Sequence, residues 1–558
     1  MQDPPARTEL LSIEALRAFS LDELQLLAER IRTHLSSLNP GKKAHLYSSL
    51  ATVELSICLH YSFNSPHDKI VWDVGHQAYV HKWLTGRAHL LKNMRNLGGI
   101  SGFPKRDESV FDAYGTGHSS TSISAIGGMA QADHIRGIQN RSYIAFIGDG
   151  ALTGGQSFEA LNHLGAMGLP ILIVFNDNDR SLDKNVGALF TNKSYADYFR
   201  SLGWKYQGPF DGHHIPSIIE EFGKAKEKSE PTVLHFKTEH PGNRNSPSIQ
   251  PKKEGVLSFS EVFGSTMHSM AEENVEFAVC SPAMIEPAYL KAFNEKYPAR
   301  CFDTGITEQH AVSFAAGMAS QGLRVFCHLY STFSQRAVDQ IIHDVALQNL
   351  PVCFVLDRAG ITGEDGPTHH GLFDVSLFHG VPNLKIWDVA NGSSLIHLLR
   401  SCVNEEGAIL IRIPKSNTNL DDKEGDKPFF IVNNAESKLG VLCLGHTLEW
   451  VDLPAFSKYN QAVVQCLKPL ATNDVSEFIQ SLDAVWVVED GMRIGGLYQQ
   501  LTDLKEQNGW PTKLFSVSIN DHFVEHGSLK TLLAKEGIDG QSILEQMIEY
   551  ELRSPRIE

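Results

Sequence analysis

The hydrophobic positions of this chain form short apolar runs separated by amphipathic stretches. Residues 143–147 and 171–175 are apolar throughout, and residues 157–164 between them have helical spacing. Strands that are apolar on both faces are typical of parallel sheets covered by helices on each side. The pattern predicts a β–α–β unit here. Together with the amphipathic residues 8–35, which we predict to be helical, it predicts an α/β domain over residues 1–240.

Changes in composition divide the rest of the chain. Residues 241–256 are rich in Pro, Gly, Asn and Ser, which predicts a linker between domains. A helix predicted at residues 259–270 opens a second α/β pattern over residues 257–425, and a third, smaller pattern covers residues 430–558. Strands are predicted at the apolar runs 277–280, 325–329, 352–356 and 409–413 in the second pattern and at 440–444, 461–467 and 484–489 in the third. The expected fold class is α/β, with three doubly wound domains built on parallel sheets.

The overall composition argues against some classes of function. With 558 residues, 20% of them charged and 42% hydrophobic, the chain has the make-up of a multidomain globular protein. A net charge of −16 argues against nucleic acid as a partner, and no segment has the roughly 20 apolar residues of a membrane span. The eight cysteines are scattered without a Cys-x-x-Cys pair, which is typical of buried thiols in a reducing compartment. We expect a cytoplasmic protein that binds neither nucleic acid nor membranes.

Two polar residues follow the predicted strands of the β–α–β unit. Asp149 comes directly after the first strand, and Asn178 follows the second, 178 − 149 = 29 positions later. Ligands bind at the carboxyl ends of strands in such sheets, and carboxylate and amide oxygens suit Mg²⁺, so the pair predicts a metal–diphosphate site. Gly148-Asp-Gly150 alone is a common turn, and the paired Asn makes the prediction specific. The pattern resembles the thiamine-diphosphate signature of transketolase-like enzymes, which implies that Asp149, Asn178 and the main-chain carbonyl of Arg180 hold the metal.

Glu308 stands where the chain leads into a predicted helix rich in Gly and Ala. An acidic residue at a helix start favours the helix dipole, and this explains most such residues. In a thiamine-diphosphate enzyme, however, a carboxylate hydrogen-bonds the aminopyrimidine of the cofactor, and the ring then becomes basic enough to remove the weakly acidic C2 proton. Glu308 has the right chemistry for that carboxylate.

Longer motifs extend the resemblance over nearly the whole chain. They are Val71-Trp-Asp-Val-Gly-His-Gln-Ala-Tyr-Val-His-Lys82, Gly102-Phe-Pro-Lys-Arg106, Gly117-His-Ser-Ser-Thr-Ser-Ile-Ser124, Gly148-Asp-Gly-Ala-Leu-Thr-Gly-Gly155, Asn185-Val-Gly-Ala-Leu189, Tyr330-Ser-Thr-Phe-Ser-Gln-Arg-Ala337, His343-Asp-Val-Ala346, Asp357-Arg-Ala-Gly360 and Asp365-Gly-Pro-Thr-His-His-Gly371. On these motifs the chain resembles a shortened and divergent member of the 1-deoxy-D-xylulose-5-phosphate synthase family.

The resemblance implies an activity and a domain order. Members of this family use thiamine diphosphate and Mg²⁺ to decarboxylate pyruvate and join the remaining two-carbon unit to glyceraldehyde 3-phosphate. Residues 1–240 would bind the diphosphate and the metal, residues 257–425 the pyrimidine, and residues 430–558 would form the C-terminal domain of transketolases. The cofactor would lie between the metal site of the first domain and the Glu of the second. These halves often come from different subunits, which implies a homodimer.

The resemblance also implies roles for single residues. Glu308 would activate the cofactor, and His45 and His76 would handle protons. Tyr330 and Arg358 would bind the phosphate of the acceptor, for which the planar guanidinium of an arginine is well shaped. Lys415 would contribute to the same site in place of a further arginine. Contacts to the cofactor are implied for His76, Gly117, His118, Ser119, Gly150, Ala151, Asn178, Glu308 and Phe333, and the acceptor pocket would be lined by His369, Asp365 and Arg336. His343 and His370 are expected to be structural.

Several segments depart from the family pattern. The run Lys43-Ala-His-Leu-Tyr47 has a bulky residue where the family has a small one, and residues 190–200 stand in place of a long insertion. Residues 237–244 lack a tyrosine expected beside the cofactor, and the linker lacks a catalytic histidine. Lys415 replaces an arginine, which keeps the positive charge but loses the bidentate geometry.

These departures leave other functions open. The main alternative is a related thiamine-diphosphate carboligase that uses another aldehyde or another 2-oxo acid. A dehydrogenase component that passes its acyl group to a lipoyl partner is a further alternative. A catalytically silent paralogue is a third, although it would have no need of Asp149, Asn178, Glu308 or His45. Condensation of pyruvate with glyceraldehyde 3-phosphate is the leading hypothesis.

Overall fold

The computed structural model describes residues 13–38, 46–179, 185–192, 194–239, 257–420 and 425–553. The chain divides into two compact units, residues 1–250 and 251–558. His45, Arg180 and the predicted linker 241–256 lie outside the described residues, and what we expect of them stays a prediction. In the described part of the chain, no helix is both long and apolar enough to cross a membrane.

A parallel sheet forms the centre of the first unit, with the strand order β1-β2-β3-β5-β4. Its strands are β1 (Lys69–Trp72), β2 (Tyr143–Gly148), β3 (Ile171–Asp177), β4 (Lys205–Asp211) and β5 (Thr232–Lys237). The helices described in this unit are α1 (Ile13–Leu16), α2 (Leu21–Ser36), α3 (Leu46–Leu50), α4 (Val53–Ser62), α5 (Tyr79–Lys82), α6 (Ser122–Ile135), α7 (Asp149–Leu152), α8 (Gly155–Met167), α9 (Ala188–Asn192), α10 (Tyr195–Ser201) and α11 (Ile215–Lys226).

Helices cover both faces of this sheet. Side chains alternate along β2, so that Ile144 and Phe146 pack with α2, α4 and α11, whereas Ala145 and Ile147 pack with α6 and α8. All residues of β2 and β3 are buried, which explains why both strands are apolar over almost their whole length. The predicted doubly wound arrangement of the first domain is confirmed.

The second unit contains two larger sheets. One has the strand order β17-β11-β12-β10-β9-β7-β8, the other β14-β16-β15-β18-β19, and β6 pairs with β13. The strands are β6 (Leu257–Ser258), β7 (Ala278–Cys280), β8 (Cys301–Phe302), β9 (Val325–Tyr330), β10 (Val352–Ala359), β11 (Leu384–Asp388), β12 (Ala408–Pro414), β13 (Asn417–Thr418), β14 (Phe429–Asn433), β15 (Leu439–Leu444), β16 (Asn460–Val464), β17 (Cys466–Lys468), β18 (Ala484–Met492) and β19 (Lys513–Ile519). The helices described here are α12 (Phe259–Glu272), α13 (Lys291–Lys296), α14 (Glu308–Ala319), α15 (Ser331–Ser334), α16 (Val338–Gln340), α17 (Asp374–Phe378), α18 (Gly392–Ser401), α19 (Leu448–Val451), α20 (Thr472–Gln480), α21 (Leu497–Asn508), α22 (Leu529–Glu536) and α23 (Gly540–Arg553).

The two larger sheets of the second unit share a hydrophobic core. Phe354 and Leu356 from β10 belong to the same buried cluster as Leu442 from β15 and Val487 from β18. A continuous core of this kind holds these two sheets together as one compact unit.

The predicted strand at residues 461–467 is wrong as a single element. The chain forms β16 up to Val464 and then β17 from Cys466, which pairs antiparallel with β11 in the other sheet. Gln465 separates the two strands. Its side-chain oxygen accepts a hydrogen bond from the Ala390 amide at 2.9 Å, and the residue is almost fully buried. β14 is also antiparallel to its neighbour, so these two sheets are parallel except at one edge each.

A buried charged cluster, formed by Arg412, Asp374, Asp388, Asp490 and His446, joins these two sheets. Arg412 Nε lies 2.9 Å from Asp374 Oδ2, Arg412 Nη2 lies 3.0 Å from Asp490 Oδ1, and Nη1 contacts Asp388. The ring of His446 bridges Asp388 Oδ1 at 2.8 Å and Asp490 Oδ2 at 3.0 Å. Burial alone would lower the pKa of His446, but the two carboxylates raise it to about 10. We therefore infer that His446 is protonated at neutral pH, so that two cations face three carboxyl groups in the cluster.

The protonated His446 predicts a pH dependence of stability. Its folded-state pKa of about 10 lies above the ordinary value of 6.5, so its contribution is complete below pH 6.5 and is lost as the pH rises to about 10. We expect His446→Gln to lower the midpoint of thermal unfolding strongly at pH 6.5 and much less at pH 10. Thermal unfolding at both pH values measures this, with His343→Gln, at an exposed histidine, as control. An equal loss at both pH values would contradict the protonated state.

Candidate active site

Asp149 directly follows β2 and begins α7. Its carboxylate is buried, with Oδ1 accepting the Gly150 amide at 2.8 Å and Oδ2 accepting Asn185 Nδ2 at 2.8 Å. Asn185 belongs to one of the family motifs, which by themselves imply no role for it. The structure shows that it fixes the orientation of the Asp149 carboxylate.

Asn178 lies just beyond the end of β3. The register of β2 and β3 places Gly148 beside Asn176, so Asp149 and Asn178 follow neighbouring strands at the same edge of the sheet. Asn176 and Asp177 instead hydrogen-bond to side chains in or just after β5. The two predicted metal ligands of the first unit therefore lie at the carboxyl ends of adjacent parallel strands, as the sequence predicts.

The motif Gly117-His-Ser119 is held in place by the next residue, Ser120. Ser120 is fully buried and has a φ of +70°; its amide donates to Asp73 Oδ1 at 2.7 Å. Its hydroxyl donates to the Ala151 carbonyl, also at 2.7 Å. This motif is thus tied to the turn that carries Asp149.

His76 follows a glycine that is required by close packing. Gly75 has a φ of +90°, and a Cβ there would lie 2.4 Å from Pro104 Cδ. On the other side, the hydroxyl of Ser49 in α3 donates to the His76 carbonyl at 3.1 Å. Tyr47, the bulky residue of the divergent first segment, lies in the same helix and packs half-buried against the core of the first unit.

Buried polar side chains anchor the segment before Gly117. His81 Nε2 lies 2.8 Å from Asp112 Oδ1, and Arg87 donates two hydrogen bonds of 2.7 and 2.9 Å to the same carboxylate. Burial would raise the pKa of Asp112, but Arg87 and His81 hold it well below its usual range. Because Asp112 also accepts the Lys105 amide at 2.9 Å, its charge fixes the chain that leads to the 117–119 motif.

Glu308 is the first residue of α14, as predicted, and its side chain is buried. Burial raises the pKa of its carboxyl, and the charge of Arg336 offsets part of this rise. A carboxyl of raised pKa exchanges a proton with a weakly basic nitrogen more readily than an exposed carboxylate does. In the second unit the structure thus places Arg336 within electrostatic range of Glu308.

Three of the predicted acceptor-side residues form a continuous row with Phe333, a predicted cofactor contact. The guanidinium of Arg358 lies 4.1 Å from the centre of the Tyr330 ring, which stacks on Phe333 at 5.4 Å, and Phe333 meets His369 edge-on at 5.7 Å. Arg358 has a φ of +59°, which is strained for a residue with a side chain, and its amide donates to the buried Asp357 at 2.7 Å. Strain of this kind is typical of functional positions.

Asp365 lies near the Arg358 end of this row, and Lys415 directly follows β12. Asp365 Oδ2 is 3.9 Å from Arg358 Nη1, so the two groups form a loose ion pair. Lys415 Nζ donates to the Thr362 carbonyl at 3.3 Å and lines a cavity of 290 Å³ that also reaches His446. The predicted acceptor-side residues Tyr330, Arg358, Asp365, His369 and Lys415 are therefore gathered on β9, β10 and the loops after β10 and β12.

The residues of the first unit fit a metal-bound diphosphate. Asp149 and Asn178 offer the hard oxygen ligands that Mg²⁺ prefers. The hydroxyl of Thr116 is buried and, within the described residues, has no hydrogen-bond partner. It lies close to Gly75, since a Cβ added to that glycine would be only 2.7 Å from the hydroxyl oxygen. This buried hydroxyl beside the 117–119 motif is free to hydrogen-bond a polar ligand or a water molecule.

Two family models match the chain. The model described as 1-deoxy-D-xylulose-5-phosphate synthase matches residues 8–195 and 190–238, and the transketolase pyrimidine-binding domain matches residues 256–420. Both support an α/β fold of the thiamine-diphosphate-binding type.

Curated relatives are similar over nearly the full length. The 1-deoxy-D-xylulose-5-phosphate synthase of Syntrophomonas wolfei subsp. wolfei is 38% identical over 95% of this chain and 94% of its own. That of Carboxydothermus hydrogenoformans is 37% identical over 95% of this chain and 96% of its own. A solved transketolase from Leishmania mexicana aligns over 98% of both chains at 15% identity with a TM-score of 0.47. Because it is 37–38% identical to these two synthases over 95% of its length, the chain belongs to the 1-deoxy-D-xylulose-5-phosphate synthase family.

Proposed function

We propose that this protein condenses pyruvate with glyceraldehyde 3-phosphate, releasing CO₂ and forming 1-deoxy-D-xylulose 5-phosphate. It is a transferase of the transketolase type that depends on thiamine diphosphate and a divalent metal ion, typically Mg²⁺. The observation that carries this function is its similarity to synthases of this name over 95% of the chain. The product is of the kind consumed in isoprenoid and thiamine biosynthesis.

We propose that the first unit holds the metal and the diphosphate. Asp149, Asn178 and the Arg180 carbonyl would bind Mg²⁺, and the hydrogen bond from Asn185 to Asp149 supports this by fixing the carboxylate. The Gly117-His-Ser119 motif, His76, Gly150 and Ala151 would contact the cofactor. Bound thiamine diphosphate would supply a carbanion-type carbon that attacks a carbonyl group.

Substitution of Asp149 tests the metal site. Asp149→Asn removes the charge that Mg²⁺ needs, so we expect the Mg²⁺-dependent affinity for thiamine diphosphate to fall at least about 100-fold. Asn185→Ala, which frees the carboxylate but keeps its charge, should cost about 10-fold. Isothermal titration calorimetry measures both, with the exposed Asp197→Asn as control. Unchanged binding in Asp149→Asn would disprove the assignment.

In the second unit, we propose that Glu308 exchanges a proton with the pyrimidine nitrogen of the cofactor. Its burial, its raised pKa and the nearby charge of Arg336 support this role. Phe333 would contact the cofactor ring. His45 and His76 would move protons of the substrates.

We further propose that Arg358, Tyr330 and Lys415 bind the acceptor. Arg358 presents a planar guanidinium over Tyr330, and Lys415 adds a second positive charge, which together suit a phosphate group. His369 and Asp365 would face the aldehyde, and Arg336 would complete the pocket. Lys415 binds phosphate as a point charge, so the affinity for the acceptor should depend strongly on ionic strength.

An acceptor panel tests the function against the alternative carboligase. The purified protein with thiamine diphosphate, Mg²⁺ and pyruvate is assayed for CO₂ release with glyceraldehyde 3-phosphate, with unphosphorylated glyceraldehyde and with acetaldehyde. We expect the phosphorylated aldehyde to stimulate release far more than the other two. Equal or greater stimulation by an unphosphorylated aldehyde would favour the carboligase.

We also propose that the enzyme is a homodimer in the cytoplasm. Large apolar side chains are exposed on helices that carry or follow site residues, namely Phe158 on α8 and Phe314 on α14, at 50% and 37%. Such surfaces fit a second copy of the chain. All eight cysteines are buried and form no disulfide, which suits a reducing compartment. Light scattering on the purified protein tests the dimer.

A further inference from the structure

His370, for which we predict a structural role, lies next to His369 beside the proposed acceptor pocket. It belongs to the acceptor loop, residues 360–371, which connects β10 to α17 and carries Asp365 and His369. The base of this loop is closed by two main-chain hydrogen bonds between Gly360 and Gly371, of 2.9 and 2.8 Å. His370 itself is almost fully buried.

Both ring nitrogens of His370 have defined partners. Nδ1 lies 3.0 Å from the Thr362 amide, and Nε2 lies 2.9 Å from the Glu525 carbonyl. An amide can only donate and a carbonyl can only accept, so Nδ1 must carry the lone pair and Nε2 the proton. The ring is therefore a neutral imidazole that links the loop to the segment between β19 and α22. Burial lowers the pKa of His370, which agrees with this neutral form.

Further contacts join the acceptor loop to the same segment. Gly366 has a φ of +75°, and a Cβ there would lie 2.8 Å from His526 Cβ. The Gly527 amide approaches the Gly363 carbonyl at 3.4 Å. At the two ends of the loop, Ile361 and Leu372 are buried together with Val524 in a hydrophobic core beside the sheet β14-β16-β15-β18-β19. The acceptor loop thus packs against the segment between β19 and α22, in the C-terminal part of the chain.

Thr362 connects this anchor to the proposed phosphate site. Its amide donates to His370, while its carbonyl accepts Lys415 Nζ at 3.3 Å. A movement of Thr362 would therefore displace Lys415 and the loop that carries Asp365 and His369.

From these contacts we infer that His370 is a positioning residue, which holds the acceptor loop against the C-terminal region so that the enzyme can bind its phosphorylated aldehyde. The inference rests on the proposed function. It assigns the C-terminal region a part in acceptor binding, whereas pyruvate decarboxylation alone should not need the anchor.

The test compares three variants. His370→Leu keeps the approximate volume but removes the hydrogen bonds of both ring nitrogens, including that of Nδ1 with the Thr362 hydroxyl at 3.2 Å. His370→Gln keeps one donor and one acceptor, and His343→Leu alters an exposed histidine elsewhere in the unit. We expect His370→Leu to raise KM for glyceraldehyde 3-phosphate about tenfold, because a buried donor and a buried acceptor lose their partners. KM for pyruvate and acceptor-independent CO₂ release should change less than twofold. His370→Gln should recover part of the loss, and His343→Leu should resemble the wild type.

A readout without cofactor or substrate separates this inference from the proposed function. Hydrogen–deuterium exchange at Thr362 and Gly527 should be at least about tenfold faster in His370→Leu than in the wild type, and intermediate in His370→Gln. Unchanged exchange, or equal increases of both KM values, would overturn the positioning role. A wild-type protein without acceptor-dependent activity would refute the proposed function, while the exchange rates would still decide whether His370 anchors the loop.

Discussion

Replacing Glu308 with glutamine is expected to reduce kcat by a factor of about 10² to 10⁴, the usual contribution of a well-placed general acid or base. Glutamine has nearly the same volume, so the buried start of α14 should keep its structure. It cannot take up and return a proton as a carboxyl of raised pKa can. The effect should appear in kcat, because the metal site lies in the other unit.

Two measurements separate this role from a general loss of structure. Deuterium exchange at C2 of bound thiamine diphosphate, followed by NMR, should slow in parallel with kcat, while the affinity for Mg²⁺ and the diphosphate should stay within a few fold of the wild type. Glu295→Gln, an exposed glutamate of α13, is the control and should leave both unchanged. Normal C2 exchange in Glu308→Gln would show that another group activates the cofactor.

Replacing Arg412 in the buried charged cluster is expected to destabilise the second unit strongly. We expect Arg412→Met to lower the free energy of unfolding of the second unit by about 3–5 kcal/mol, because Asp374, Asp388 and Asp490 would remain buried with only His446 to balance them. A chain of two compact units need not unfold in one step, so the loss is best measured locally. Hydrogen exchange of the amides in β12 and β18 gives this free energy directly.

Arg400→Met is the matched control. Arg400 forms two hydrogen bonds to the single carboxylate of Glu273, and the pair is exposed, at 39% and 51%. We expect a loss below about 1 kcal/mol there. Similar losses in the two variants would mean that the buried cluster does not hold the two sheets together.

The first domain could be predicted well because its signals are local. The strands β2 and β3 are buried on both faces, so their residues are apolar without interruption, and Asp149 and Asn178 stand out as the polar residues after them. Glu308 was equally visible at the start of its helix. In each case the position of the residue in the fold follows from residues close together in the sequence.

Features that depend on distant partners could not be predicted in this way. Arg412 interrupts the apolar residues 409–413, which indicates a buried partner, but nothing local identifies Asp374 or Asp490 as that partner. The division of residues 461–467 between two sheets depends on the burial of Gln465 in the folded protein. Similarly, the role of His370 depends on a carbonyl 155 positions away in the sequence.

Following labelled substrate into product tests the proposed condensation. The wild-type protein is supplied with thiamine diphosphate, Mg²⁺, [2-¹³C]pyruvate and glyceraldehyde 3-phosphate, and the products are identified by ¹³C NMR and mass. We predict one labelled product, a five-carbon ketose phosphate with the label in its ketone carbon and the mass of 1-deoxy-D-xylulose 5-phosphate, together with unlabelled CO₂. Label confined to acetaldehyde, acetate or an acetoin-type product, with glyceraldehyde 3-phosphate left unconsumed, would contradict the proposed function.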